Sequence, residues 1–90
     1  MSGQKTKPVY KIEDLVSSTN NLILYNDDVN TFDFVIESLI EVCDHDFEQA
    51  EQCATITHYK GKCAVKKGST KDLLKMQEEI IERGLSAIIE

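Results

Sequence analysis

The pattern of apolar and polar positions divides the chain into six segments. "NLILYN" (residues 21–26) is a short apolar run with Asn at both ends, which predicts a buried strand. Asn30, with Asp33 three residues on, predicts a helix N-cap with a carboxylate version of the capping box. Phe32, Val35, Ile36, Leu39, Ile40 and Cys43 follow at i, i+3, i+4, i+7, i+8 and i+11, one apolar stripe of a helix that "DHD" (residues 44–46) ends. Asp46 with Gln49 opens a second helix, with Phe47, Ala50, Ala54 and Thr57 as its inner face and Gly61 as its stop. "KCAVKK" (residues 62–67) reads as a strand that meets solvent through its lysines. Ser69 with Asp72 caps a third helix whose inner positions are Leu73, Met76, Ile80 and Ile81; Gly84 stops it, and "LSAIIE" (residues 85–90) is a last strand.

The order is β-α-α-β-α-β. In so short a chain this implies an α+β fold, a small three-stranded antiparallel sheet packed on helices. Residues 1–19 hold the sole proline and few apolar side chains, so they are expected to form a flexible N-terminal tail ahead of a core domain over 20–90.

Composition changes this picture little. Ninety residues make one domain, and 41% hydrophobic content is ordinary for a folded one. No apolar stretch approaches the ~20 residues of a membrane span, and the N-terminus lacks the apolar core of a signal peptide. A cytoplasmic location without membrane attachment is the expectation. Three cysteines, Cys43, Cys53 and Cys63, with no CxxC pair, read as small buried hydrophobes in a reducing compartment.

Charge adds more. The net charge of −6 disfavours nucleic acid as a partner. Eleven acidic residues and no Lys or Arg fall between Ile12 and Tyr59, whereas six lysines and one acid, Asp72, fall between Lys60 and Lys75. An acidic side and a basic rim follow, either as solvated faces or as a docking surface for a charged partner.

The candidate chemistry centres on Asn26, Asp27 and Asp28, where a strand delivers its last residues to the sheet edge, and on His58 at the end of the second helix. An amide oxygen, a carboxylate and a neutral imidazole around one point match the three N–H donors of a primary ammonium. The same residues could serve only as turn, cap and surface groups. Phe32 and Val35 share a helix face that begins just after this cluster, and Ala54 and Thr57 are small residues near His58. Small side chains there could leave a hollow beside the ammonium site, fit for the first residue of a polypeptide, or could simply pack a core.

Enzyme chemistry finds little footing, since no Gly-rich phosphate loop, GxSxG or HExxH is present and nothing supplies a nucleophile or cofactor. A zinc site from Cys43, His45, Cys53, His58 and Cys63 fits no finger spacing. Glu37-Ser38-Leu39 is faintly similar to the attachment site of acyl carrier proteins, but those are helical bundles and this chain carries strand patterns.

At "NDDVNTFDFVIESL" (residues 26–39) and "HYKGK" (residues 58–62) the sequence resembles ClpS, the bacterial and plastid adaptor of the N-end rule pathway, and the resemblance covers about residues 20–90. It implies a monomeric, non-enzymatic protein without cofactors. Such a protein binds N-degron substrates that start with Leu, Phe, Tyr or Trp and delivers them to the N-domain of a ClpA- or ClpC-type AAA+ unfoldase. By match, Asn26 and His58 would hydrogen-bond the α-amino group and Asp27 the polar atoms of the first residue. Val35, Ala54, Thr57 and Leu85 would line the side-chain pocket, Phe32 would gate its mouth, and Asp28 and Asn30 would shape the loop.

The chain departs from the family pattern at three places. Ala54 stands where a Met usually acts as a stop against β-branched side chains, which implies a roomier pocket that admits Ile, Val or Trp. Phe32 replaces a Met common at the gate. "KDLLK" (residues 71–75) replaces an acidic stretch at the start of the third helix, which makes the lysine-rich rim the expected dock. The alternative function is a general protein-interaction domain without N-terminus specificity.

Overall fold

The structure, a computed structural model, describes residues 19–90. The expected tail therefore lies, apart from Thr19, outside the described residues. Six elements follow in the expected order: β1 (Asn20–Tyr25), α1 (Phe32–Cys43), α2 (Phe47–Lys60), β2 (Lys62–Gly68), α3 (Thr70–Glu82) and β3 (Ser86–Ile89). The strands form one open antiparallel sheet in the order β2-β1-β3. β1 is central: Leu24 pairs with Cys63 on one side and Ala87 on the other, and Tyr25 with Lys62 and Ser86. A register irregularity interrupts the β1–β2 ladder between Leu22 and Ile23.

Strand alternation puts Leu22 and Leu24 on the same face, where they meet Ile36, Leu39, Ala50, Ala54, Leu73 and Ile80 in the core. Leu22, Leu24, Leu39, Leu73 and Ile80 are fully buried. Each such side chain contributes roughly 1.5–3 kcal/mol relative to exposure. The cysteines behave as small apolar groups: Cys43 and Cys63 are buried, Cys53 is half-buried, and all three are free thiols. Burial pushes the Cys43 thiol up to about 11 and the Cys53 thiol, helped by neighbouring Cys63, up to about 12. No helix among the described residues is long and apolar enough to cross a membrane.

Three local expectations are corrected. The N-cap of α1 is Thr31, whose hydroxyl accepts from the Phe34 N–H at 3.1 Å, and not Asn30. Asn30 is engaged elsewhere, as shown below. Phe47 and Ile81 are exposed and not inner-face residues. Phe47 opens α2 immediately after its cap, and the contacts inside that helix start at Ala50. Ser38, set within the apolar pattern of α1, is fully buried, and the Arg83 guanidinium donates to its hydroxyl at 3.3 Å.

Candidate functional site

The loop between β1 and α1 carries the polar cluster. Its start is set by the Asn26 N–H, which donates to the Gly61 carbonyl at 2.9 Å. Gly61 closes α2 with φ +92°, a left-handed conformation that glycine adopts without a Cβ penalty. That bond brings Asn26 beside the last turn of α2, where His58 stands.

Within the loop, the Asp27 carboxylate organises the backbone. Its Oδ1 accepts from the N–H groups of Val29 and Asn30, both at 2.8 Å, and its Oδ2 accepts from Asn30 Nδ2 at 2.9 Å. The Asn30 backbone bond is the largest cause that holds the Asp27 carboxyl below its usual 3.8; partial burial opposes it, and the Asn30 side chain and the Val29 N–H add to it. Asn30 Nδ2 also donates to the Gly84 carbonyl at 3.0 Å, which joins the loop to the turn between α3 and β3. Asp27, expected at the ligand, thus spends three acceptor positions on its own loop, with Asn30 as its partner.

These constraints leave a cavity of about 390 Å³ between the loop and the two helices. Leu24, Val35, Ala54 and Thr57 give it an apolar lining, and Asn26, Asp28 and His58 add polar groups to the same cavity. Asp27, Asn30, Phe32 and Tyr25 complete the lining. Ala54 and Thr57 are buried, at 3% and 4% exposure, and Phe32 is 43% exposed. The loop's own hydrogen bonds engage Asp27 and Asn30, which leaves the side chains of Asn26 and Asp28 to the cavity. The exposed His58 ring stacks edge-on against Tyr59, with centroids 4.9 Å apart.

The structure therefore brings nine of the ten expected site residues to one cavity and leaves Leu85 out. Leu85 is a core side chain, 4% exposed, whose N–H donates to the Ile80 carbonyl at 3.1 Å. Two lining residues escaped the sequence reading, Leu24 and Tyr25. The signal was present: a strand that delivers Asn26 to a site must bring its last two residues with it. No group of three or more His, Cys, Asp or Glu side chains that could hold a metal ion occurs among the described residues. His45, buried in the connection between α1 and α2, lies with Nε2 2.7 Å from the Val65 carbonyl, so that nitrogen is a donor.

Chemically, a pocket lined by amide, carboxylate and imidazole groups together with apolar side chains suits a cationic head on an apolar body. Two comparisons bear on this geometry. The family model described as ATP-dependent Clp protease adaptor protein ClpS matches residues 17–87. Among solved structures, Agrobacterium tumefaciens ClpS2 bound to L-phenylalaninamide aligns with a TM-score of 0.76 and 19% sequence identity, over 80% of this chain and 94% of that one. A likeness at that identity establishes a shared fold.

Proposed function

The chain belongs to the ClpS family of Clp protease adaptors, and from that premise we propose that its cavity receives the first residue of a substrate protein for delivery to a Clp AAA+ unfoldase. The observation that carries the reading is the juxtaposition of the Asn26, Asp28 and His58 side chains with the Leu24–Val35–Ala54–Thr57 wall in one cavity. Asn26 Oδ1 and a neutral His58 nitrogen accept two of the ammonium hydrogens. Asp28 stands in the same cavity with no bond to its own loop, a better placed carboxylate for the ammonium charge than Asp27, which keeps the loop in shape and retains one lone pair for the polar atoms of the first residue. The side chain of the first residue enters against Ala54 and Thr57, past Phe32.

Magnitudes favour a releasable complex. Burying one large apolar side chain yields roughly 1.5–3 kcal/mol, and each charge-assisted hydrogen bond about 1.5–3 kcal/mol. After the cost of association, an affinity on the order of micromolar follows, which suits an adaptor that must let go. Leu, Phe, Tyr and Trp are the proposed first residues, and the small Ala54 adds Ile. The unfoldase, of ClpA or ClpC type, docks on the lysine rim of β2 and α3.

The test is fluorescence anisotropy with labelled peptides that begin with Phe, Ile, Met and N-acetylated Phe. Free Phe binds and acetylated Phe does not, because acetylation removes the charge and leaves polar groups unpaired. His58→Ala and Asn26→Ala each weaken free-Phe binding by about ten- to a hundredfold, the worth of one charge-assisted bond, with no change in melting temperature. Equal binding of free and acetylated Phe would sink the reading and leave a general interaction domain.

A further inference from the structure

The loop that carries Asn26, Asp27 and Asp28 is tied at both ends to carbonyls of helix-ending glycines. Asn26 N–H bonds the Gly61 carbonyl at its start, and Asn30 Nδ2 bonds the Gly84 carbonyl at its end. Gly84, with φ +87°, follows the last turn of α3. Its N–H donates to Ile81 O at 2.9 Å, and the Leu85 N–H donates to Ile80 O at 3.1 Å. These are the paired bonds of a Schellman cap, so the Gly84 carbonyl is held rigidly on the end of α3.

What holds the end of α3 against the loop is the residue before it. Arg83, the sole arginine of the chain, donates through Nη1 to Ser38 Oγ at 3.3 Å and through Nη2 to Glu41 Oε1. Ser38 and Glu41 lie on α1, the helix into which the loop runs. The bonds close a ring, from the loop through α1, Arg83, Gly84 and Asn30 back to Asp27.

We propose that Arg83 is a positioning residue for the α-amine site. By pinning the α3–β3 turn to α1, it keeps the Gly84 carbonyl where Asn30 can bridge it to Asp27. That bridge sets the loop conformation in which Asn26 and Asp28 meet the ligand's ammonium. The inference rests on the function proposed above. The Arg83–Glu41 pair is partly open to water, at 29% and 51% side-chain exposure, and such pairs add little to global stability. Its other arm, on fully buried Ser38, is directional, a geometry that the forked guanidinium suits. Val29 at the loop's tip is 87% exposed, so its side chain adds no core packing to those bonds. A lost anchor is therefore felt first at the loop and only weakly in the core.

The experiment uses the full chain with Arg83→Ala, Asn30→Ala and the double variant, in two readouts. The first is amide solvent exchange by NMR without ligand. The Val29 and Asn30 N–H groups, both bonded to Asp27 Oδ1, exchange faster in Arg83→Ala, while amides of central strand β1 keep their protection. The second is anisotropy with the free Phe-initiated peptide. Arg83→Ala weakens binding about two- to tenfold, the worth of one hydrogen bond. In the Asn30→Ala background the Arg83 change has no further effect, because the link is already cut.

Unchanged exchange at Val29 and Asn30, or binding losses that add in full, would overturn the proposal. Glu41→Ala, which cuts one arm at an exposed position, is read in the same way should Arg83→Ala fail to fold. If the wild-type protein does not bind the peptide, the functional reading falls, and the exchange readout alone decides the role of Arg83.

Discussion

Thr57 donates its hydroxyl hydrogen to the Cys53 carbonyl one turn back, at 2.8 Å, which lets a polar residue stand in an apolar wall at 4% exposure. Beside it, Ala54 leaves room. Ala54→Met should fill that room and exclude an Ile-initiated peptide by about tenfold or more, the scale on which apolar pockets discriminate by one group. A Phe-initiated peptide should lose less, as peptide anisotropy would report, and equal losses would place Ala54 away from the side-chain pocket. Asp27 supplies a pH prediction. Its pKa is depressed in the folded state, so its contribution to stability is complete above about 3.8 and is lost as pH falls through the lower folded value. Asp27→Asn should therefore lower the melting temperature at neutral pH, and the two proteins should converge in strong acid. A constant gap at all pH values would deny the carboxylate that role.

Helix ends are made by similar devices throughout. Thr31, Asp46 and Ser69 each accept from the N–H three residues on, at 3.1, 2.8 and 3.2 Å, and Gly61 and Gly84 follow in left-handed conformations. Thr31→Ala should cost about 1 kcal/mol in urea denaturation, as cap removals do. Gly61→Ala should cost about as much through backbone strain alone, since an added Cβ would meet nothing within 4 Å. The consequences differ at the site. Gly61 O receives the Asn26 N–H, so Gly61→Ala should also weaken peptide binding by more than its loss of stability explains.

For the whole molecule, the charge asymmetry is now placed on elements. Asp33, Glu37 and Glu41 on α1 and Glu48 and Glu51 on α2 are exposed, as are Lys62 and Lys67 on β2 and Lys71 and Lys75 on α3. Lys66 is partly withdrawn, because its ammonium donates to the Cys43 carbonyl at 2.8 Å. If the basic rim docks the unfoldase, the paired change Lys71→Glu and Lys75→Glu should abolish capture by a Clp N-domain and leave peptide affinity unaltered. Wild-type capture should weaken as salt rises, since exposed charges are screened within ~10 Å at 0.1 M. Calorimetry at low and high salt checks both, and salt-independent capture would point to another face.

The elements, their order and most of the polar cluster were legible in the sequence because they depend on neighbours. Apolar periodicity marks a helix or strand within a few residues, and Asp46, Ser69, Gly61 and Gly84 act on groups next to them in the chain. Asn26, Asp28 and His58 could be placed at one point because a strand exit and a helix end each present their polar residues at a known spot. Asn30 could not be read in that way. Its amide leaves the helix cap to Thr31 because it bonds Gly84, 54 residues away, and no local pattern encodes that competition. Likewise the hydrogen-bond partner of buried Ser38 is Arg83, 45 residues on, and Leu85 packs in the core and is not among the residues that line the cavity. The chain's own chemistry therefore determined what each segment is and which polar groups it offers. Only the closed fold decided which of two competent polar groups caps a helix and which ties down the loop, because those choices rest on partners that meet only when the sheet and helices come together.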